Sequence, residues 1–375
     1  MILTIIIGTR PEFLKVQSVI NELKKEATIN TKLVSTLQQE SLFFKTSENF
    51  DIKINHWLKP SINKDMNFTF SKLMKDFSNL FKKVKTDVIL VQGDTLTAYA
   101  ASCYAFLNKI DLIHLEAGLR TFNKEAPWPE EIFRQNISRF AELNLAQTKL
   151  AKKNLINENI NASKVKVVGN PGIDTLLQGE NLKVINHKKI SKLLNLNNKI
   201  LITMHRKESI KISLKKFCKN LEYVCKKNTN LNFIWPLHTN SQIIKIVNSF
   251  FKKNTIKNLY FIEPLNYQDF IHILKKSIIV ITDSGGVQEE AAYIGIPSLI
   301  ARINTERPEI IKLKLGKLVN ANGDKLNACL DFFLKTSLKK SNINSWRKIQ
   351  GNGKASEKIR KVICSYFLNK KKVDT

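Results

Sequence analysis

Residues 1–15 read MILTIIIGTRPEFLK. Leu3 to Ile7 form a run of apolar and β-branched residues that reads as a buried strand, and the run stops at Gly8. Thr9, Arg10 and Pro11 follow, and proline suits the first turn of a helix, where no N–H is needed. Phe13, Val16, Ile20 and Leu23 then recur at helical spacing. The stretch is a strand turning into a helix, the building unit of doubly wound α/β folds. A dinucleotide-binding turn uses three glycines and this one has a single glycine, so no nicotinamide cofactor is expected. Arg10 stands in place of the missing glycines, with Lys15 one helical turn further on. A helix N-terminus, a guanidinium and an ammonium together suit an anion such as phosphate. The bland alternative is a surface helix that happens to carry both residues.

Working outward, strand-like runs alternate with helical patterns along most of the chain. TKLVST (31–36), DVILVQ (87–92), DLIHLE (111–116), LNLAQT (143–148) and VKVVGNP (165–171) continue the first series. The Gly-Asn-Pro turn at its end marks a domain boundary. KILITM (199–204), LNFIWPL (231–237), a run from Leu259, SIIVITD (277–283) and PSLIAR (297–302) make a second series, with PSLIAR as the last clear strand. Two such series predict an α/β protein of two parallel-sheet, doubly wound domains, residues 1–171 and 172–354. Residues 355–368 read as a helix that packs back on the N-terminal domain, and the chain ends in a basic tail.

The 375 residues are enough for two domains with real cores, and 43% of them are hydrophobic. No stretch reaches the ~18–20 continuous apolar residues that would span a bilayer, so no integral membrane contact is expected. The N-terminal apolar run lacks a charged region before it and reads as a strand rather than a signal peptide. Cys103, Cys218, Cys225, Cys329 and Cys364 are scattered, without zinc-ligand spacing. This fits a reduced, cytoplasmic chain with no metal site. The formal net charge is +29. The lysines are spread among Asn and Ile and rarely interleave with aromatics as a base-stacking platform requires, so the charge reads as solvated surface and no nucleic-acid partner is expected.

In open α/β sheets ligands bind beyond the C-terminal ends of the strands. Asp94 ends one strand in VQGDTLTA, Glu116 ends the next in HLEAGLRT, and Glu130 and Glu131 open a helix in PWPEEIFRQ. Each has an ordinary reading, as an N-cap or as an acidic first-turn residue. Three carboxylates near one sheet edge, beside a basic anion site, also suit general acid–base work. In the second half, His205 and Arg206 follow a strand in MHRKES, and His238 does so in WPLHTN. A lone histidine there is as readily structural. In TDSGGVQEEA a buried strand ends at Asp283 and opens a helix through Ser284, Gly285 and Gly286, with Glu289 and Glu290 one turn in. Glycines at a helix N-terminus let backbone N–H groups approach a phosphate, and a glutamate there can accept from a ribose diol. Arg307 follows in NTERPE.

GTRPEFLK, VQGDTLTA, HLEAGLRT, PWPEEIFRQ, VGNPGIDTL, MHRKES, DSGGVQEEA and NTERPE occur in the order seen in the non-hydrolysing UDP-N-acetylglucosamine 2-epimerases. The chain resembles that family over about residues 1–320. The resemblance implies two Rossmann-like domains with an interdomain cleft, a glycosyltransferase-B-type fold. It implies a homodimer in the cytoplasm that feeds polysaccharide precursor synthesis. It further implies inversion of C2 of a UDP-sugar without a cofactor, by elimination of UDP to a 2-acetamidoglucal and re-addition. By the same resemblance Asp94, Glu116, Glu130 and His205 would be catalytic. Arg10, Lys15, Arg206, His238, Phe270, Ser284, Gly285, Gly286, Glu290 and Arg307 would bind substrate, Phe270 near the uracil and Glu290 at the ribose. The chain departs from the family pattern at Met204, at Lys207 to Ile210, and at Gln38-Gln39-Glu40, where relatives contribute to a second, activating substrate site. These departures bear on activation and on the sugar. Epimerases of modified UDP-sugars (a 2,3-diacetamido uronate or a 6-deoxy sugar), a hydrolysing epimerase releasing free ManNAc, and a glycosyltransferase on the same fold are the competing enzymatic readings.

Overall fold

A computed structural model describes residues 1–36, 50, 52–58, 65–180, 187–204, 212–237, 241–251 and 256–368. His205, Arg206 and His238 lie outside the described residues, as do Gln38, Gln39 and Glu40. The chain divides into two compact units, Met1–Thr175 with Ile349–Thr375, and Leu176–Lys348.

In the first unit the strands are β1 (Ile2–Ile7), β2 (Asn30–Ser35), β3 (His56–Trp57), β4 (Val88–Gln92), β5 (Asp111–Ala117), β6 (Leu143–Ala146) and β7 (Val165–Val167). The helices there are α1 (Arg10–Leu23), α2 (Met66–Phe81), α3 (Leu96–Leu107), α4 (Glu130–Phe140) and α5 (Lys149–Asn157). α6 (Pro171–Glu180) follows. The sheet is wholly parallel in the order β3-β2-β1-β4-β5-β6-β7. Leu3, Ile5, Ile6 and Ile7 are all fully buried, as parallel strands covered on both faces must be. Strand alternation divides them: Ile5 and Ile7 pack with Phe13, Val16 and Ile20 of α1, while Ile6 packs with Ile89, Val91, Ala98 and Ile137 under α3 and α4.

The second unit holds β8 (Lys199–Thr203), β9 (Asn232–Pro236), β10 (Leu259–Ile262), β11 (Ser277–Thr282), β12 (Ser298–Ile300) and β13 (Gly316–Leu318). Its helices are α7 (His187–Leu194), α8 (Ile212–Lys227), α9 (Ser241–Phe251), α10 (Tyr267–Lys275), α11 (Gly285–Ile294), α12 (Pro308–Lys312), α13 (Leu326–Lys335) and α14 (Lys340–Ile349). The order β10-β9-β8-β11-β12-β13 repeats the first sheet's winding, and all strands are again parallel. PSLIAR is therefore not the last strand: Gly316-Lys317-Leu318 pairs beyond it at the sheet edge. A three-residue edge strand without an apolar run, like the two-residue β3, carries no readable period.

Both sheets reverse their order next to their first strand, between β1 and β4 and between β8 and β11. At such switch points adjacent loops turn to opposite faces and leave a crevice beyond the strand ends. The residues after β1 and β4 are Gly8-Thr9-Arg10 and Gly93-Asp94-Thr95; those after β11 are Asp283-Ser284-Gly285.

The chain returns to the first unit through α15 (Ala355–Ile363), which a π-helical turn over 364–368 continues. Ile359 and Ile363 join the α1 cluster. Asp174 supplies the missing cap, accepting from Ala355 N at 3.3 Å and Ser356 N at 2.7 Å. Arg360 pairs with Glu22 and Glu26 of α1 and the segment just after it.

Candidate active site

The first turn is organised by a residue absent from the sequence expectations. Thr9-Arg10-Pro11-Glu12 has the spacing of a capping box, with Thr9 at the N-cap of α1 and Glu12 at its third position, but the Thr9 hydroxyl donates to Glu12 and does not cap the helix. Glu12 is 1% exposed. Its Oε2 accepts from Gly8 N at 3.0 Å and from the Thr9 hydroxyl at 2.7 Å, and its Oε1 accepts from the Thr95 hydroxyl at 2.8 Å. Burial pushes its carboxyl up to about 7, against the pull of these hydrogen bonds. The Gly8 amide is thus already engaged, so an anion at this turn would rely on Arg10, the half-buried first residue of α1, more than on that N–H.

Lys15, one turn into α1, donates to Oε1 of Glu116, and the Gln92 side-chain amide donates to Oε2. Lys15 is therefore joined to the carboxylate set. Glu116, the penultimate residue of β5, has φ 72°, a left-handed conformation uncommon outside glycine, and its carboxylate lies over Gly93. Asp94 pairs with Arg134 of α4. Glu130, the first residue of α4, is half-buried. Its neighbour Glu131 is fully buried and accepts from Thr121 N and Phe122 N, both at 3.0 Å, which ties down the segment between β5 and α4. Asp94 and Glu116 thus stand at the C-terminal ends of adjacent strands.

His114 braces this edge from beneath. It is fully buried, and burial lowers its imidazole to about 4. Nε2 lies 2.9 Å from the Gly93 carbonyl, which can only accept, so Nε2 carries the proton. Nδ1 is 3.0 Å from the Ser138 hydroxyl, which also reaches the Arg134 carbonyl at 2.9 Å. The histidine therefore links the turn that bears Asp94 to the helix that bears Glu130 and Arg134.

In the second unit, Ser284 is the N-cap of α11, and its N–H donates to the Thr282 hydroxyl at 3.0 Å. Arg307 is buried and pairs with Glu289, and with Glu306 at 3.3 Å; Arg302 grips Glu306 with two hydrogen bonds of 2.7 and 2.8 Å. The Arg307 guanidinium lies against Gly285, where an added Cβ would come within 2.6 Å of Cζ. At Gly286 such a Cβ would meet nothing within 4 Å among the described residues. Glu290 accepts from the Tyr267 hydroxyl at 2.8 Å, and Phe270 is half-buried on the same helix as Tyr267. Nearby in this unit is a cavity of about 270 Å³ lined by Ile190, Leu193, Ile262, Pro264, Leu265 and Asp269 among others.

Capping-box spacing could have singled out Glu12. Nothing in the sequence marked Gln92, His114 or Arg134, whose partners lie on other elements, and Glu289, noted for its place one turn into a helix, gave no sign of its pairing with Arg307.

Two parallel, doubly wound α/β units with paired carboxylates beyond the strand ends of the first define the class. The particular family follows from comparison. A family model described as UDP-N-acetylglucosamine 2-epimerase matches residues 21–364. A UDP-N-acetylglucosamine 2-epimerase of Neisseria meningitidis is 37% identical over 325 residues, covering 84% of this chain and 86% of the relative. The crystal structure of a Neisseria meningitidis UDP-GlcNAc 2-epimerase bound to UDP-GlcNAc superposes with a TM-score of 0.89 at 32% identity, covering 97% of this chain and 100% of that one. That of Methanocaldococcus jannaschii, in complex with UDP-GlcNAc and UDP, gives 0.85 at 32% identity, covering 97% and 100%. The chain belongs to the UDP-N-acetylglucosamine 2-epimerase family, enzymes that isomerise carbohydrates.

Proposed function

We propose that the chain interconverts UDP-GlcNAc and UDP-ManNAc. The C2 proton of an N-acetyl sugar is not acidic, so departure of UDP has to drive its removal. UDP leaves to give a 2-acetamidoglucal and adds back as a proton arrives on the opposite face. The observation that carries this reading is the pair of anchored carboxylates at adjacent strand ends, Glu116 held by Lys15 and Gln92, and Asp94 held by Arg134. Asp94, Glu116 and Glu130 move protons and orient the sugar. Arg10, Lys15 and His205 neutralise the charge that develops on the leaving diphosphate. Ser284, Gly285 and Gly286 receive phosphate at the N-terminus of α11. Glu290 takes the ribose, Phe270 packs near the uracil, and Arg206 and His238 serve the nucleotide side. Arg307 acts there through Gly285, against which its guanidinium lies. In this reading residues 1–171 supply the acid–base chemistry and residues 172–354 the UDP site.

The enzyme works as a homodimer in the cytoplasm, making precursors for cell-surface polysaccharide. Support for the dimer comes from the first unit, where Phe68, Phe106 and Leu107 are 50%, 59% and 69% exposed and Phe106 stacks on Phe140 at 4.9 Å. Among the described residues no helix is long and apolar enough to cross a membrane.

The test is proton NMR of UDP-GlcNAc incubated with the protein in D₂O. UDP-ManNAc carrying deuterium at C2 is expected. Product that keeps its original C2 proton in full overturns the mechanism, and no product overturns the assignment.

A further inference from the structure

Glu12 has no part in the scheme above, yet it is the most deeply enclosed carboxylate at the switch point. Local donors satisfy Oε2, namely Gly8 N and the Thr9 hydroxyl. Oε1 reaches instead to another element and takes the Thr95 hydroxyl at 2.8 Å, 83 residues along the chain. Thr95 Oγ1 in turn accepts from Ala98 N at 3.1 Å, so one hydroxyl caps α3 and fastens that cap to Glu12. The two turns are in close contact besides: a Cβ at Gly8 would lie 2.9 Å from Cβ of Thr97, and the hydroxyls of Thr36 and Thr97 are 2.8 Å apart. All partners of Glu12 among the described residues are amides and hydroxyls, so a buried carboxylate is kept here without a cation. Arg10 precedes Glu12 by two residues in the chain, and Asp94 precedes Thr95 by one.

We infer that Glu12 is a positioning residue that holds the Arg10 turn and the Asp94 turn in register through Thr95. The inference rests on the epimerase reading, which assigns Arg10 to the leaving group and Asp94 to the proton. The spacing of Arg10 and Asp94 is set through the Glu12–Thr95 link. Small errors in such spacing slow chemistry without removing binding, because a misplacement of about 1 Å can cost 10²-fold in rate.

The test compares Glu12→Gln, Thr95→Val, the double variant and Thr95→Ser, measuring kcat and KM for UDP-GlcNAc and the thermal shift produced by UDP. Thr95→Val removes one hydroxyl and disturbs the fold no more than loss of one helix cap, so it remains informative if Glu12→Gln does not fold. Glu12→Gln and Thr95→Val are each expected to lower kcat by about 10- to 100-fold, with KM and the UDP shift within about twofold of the parent. The double variant is expected to be no slower than the slower single, because both remove one link. Thr95→Ser, which keeps the hydroxyl, is expected to restore turnover. Unchanged kcat in Thr95→Val, losses that multiply in the double variant, or a parallel loss of UDP binding overturns the inference. An unsubstituted protein that binds UDP but does not turn over UDP-GlcNAc overturns the epimerase reading instead.

Discussion

Glu12 and His114 are displaced from their ordinary titration ranges by the same cause, burial, and in opposite directions. Glu12 moves from 4.5 to about 7, so between those values the folded chain holds a proton that the unfolded chain has lost. Stability from this group falls as pH rises through that window. His114 moves from 6.5 to about 4, so the unfolded chain takes up a proton that the folded chain refuses. Its contribution is complete above 6.5 and is lost as pH falls toward 4. Each displacement is worth about 3 kcal/mol by linkage, and between pH ~4.5 and ~6.5 the two slopes oppose each other. Glu12→Gln should therefore make stability climb more steeply with pH over that range than in the parent, and His114→Asn should make it fall. Urea midpoints at three pH values check this, and slopes parallel to the parent's in both variants would refute it. A second residue-level contrast lies at the two glycines of α11. Gly285→Ala drives a methyl into a guanidinium that Glu289 and Glu306 hold in place, and should cost about 1–3 kcal/mol. Gly286→Ala meets no atom of the described residues within 4 Å and should leave the melting temperature unchanged or slightly raised, while weakening UDP binding if the backbone there receives phosphate. Equal destabilisation by both would show that the Arg307 contact does not restrict the position.

Among the elements, α15 depends on a residue far away in the chain. Its first N–H groups have no cap of their own and point to Asp174, whose carboxyl is raised by burial yet accepts from Ala355 and Ser356. Asp174→Ala should remove about 1 kcal/mol, the usual worth of an N-cap, and should increase amide exchange along 355–363 while leaving the β1–β4 core protected. Uniform loss of protection would mean that α15 and the core open together. This element shows where reading a sequence succeeds and where it stops. Ile359 and Ile363 mark the buried face of a helix, and the apolar runs of β1, β4, β8 and β11 announce themselves because a strand buried on both faces has few polar interruptions, Thr4 being one. β3 and β13 were not legible, being edge strands of two and three residues. The cap at Asp174 was not legible either, because its partners are 181 and 182 residues away. The site divides in the same way. Asp94, Glu116, Ser284 and Gly285 could be read from their places at strand ends, whereas Arg134, Gln92, His114 and Glu289 owe their roles to neighbours on other elements.

At the scale of the whole molecule the two units carry different parts of the proposed chemistry, and this makes binding and turnover separable. The carboxylates Asp94 and Glu116 belong to the first unit, and Ser284, Gly286 and Glu290 belong to the second. A ligand that binds only the folded chain stabilises it by linkage, by about 2.7 kcal/mol at a hundredfold excess over its dissociation constant. UDP contains no C2 centre for an acid or base to act on, so Asp94→Asn and Glu116→Gln should preserve the UDP-induced rise in melting temperature. The same substitutions should slow UDP-GlcNAc turnover by about 10² or more, the scale of losing a positioned acid or base. Gly286→Ala should do the reverse at low ligand, reducing the UDP shift and raising KM while kcat at saturation is affected less. The net charge of +29 does not alter this expectation, because a general attraction for anions would fade with salt, whereas contacts to the uridine, proposed above for Glu290 and Phe270, would discriminate UDP from inorganic pyrophosphate of similar charge. Thermal shifts with UDP and with pyrophosphate at 0.05 and 0.3 M salt decide the matter. If the two ligands stabilise equally and both effects vanish at the higher salt, the second unit holds no built nucleotide site and the division of labour falls with it.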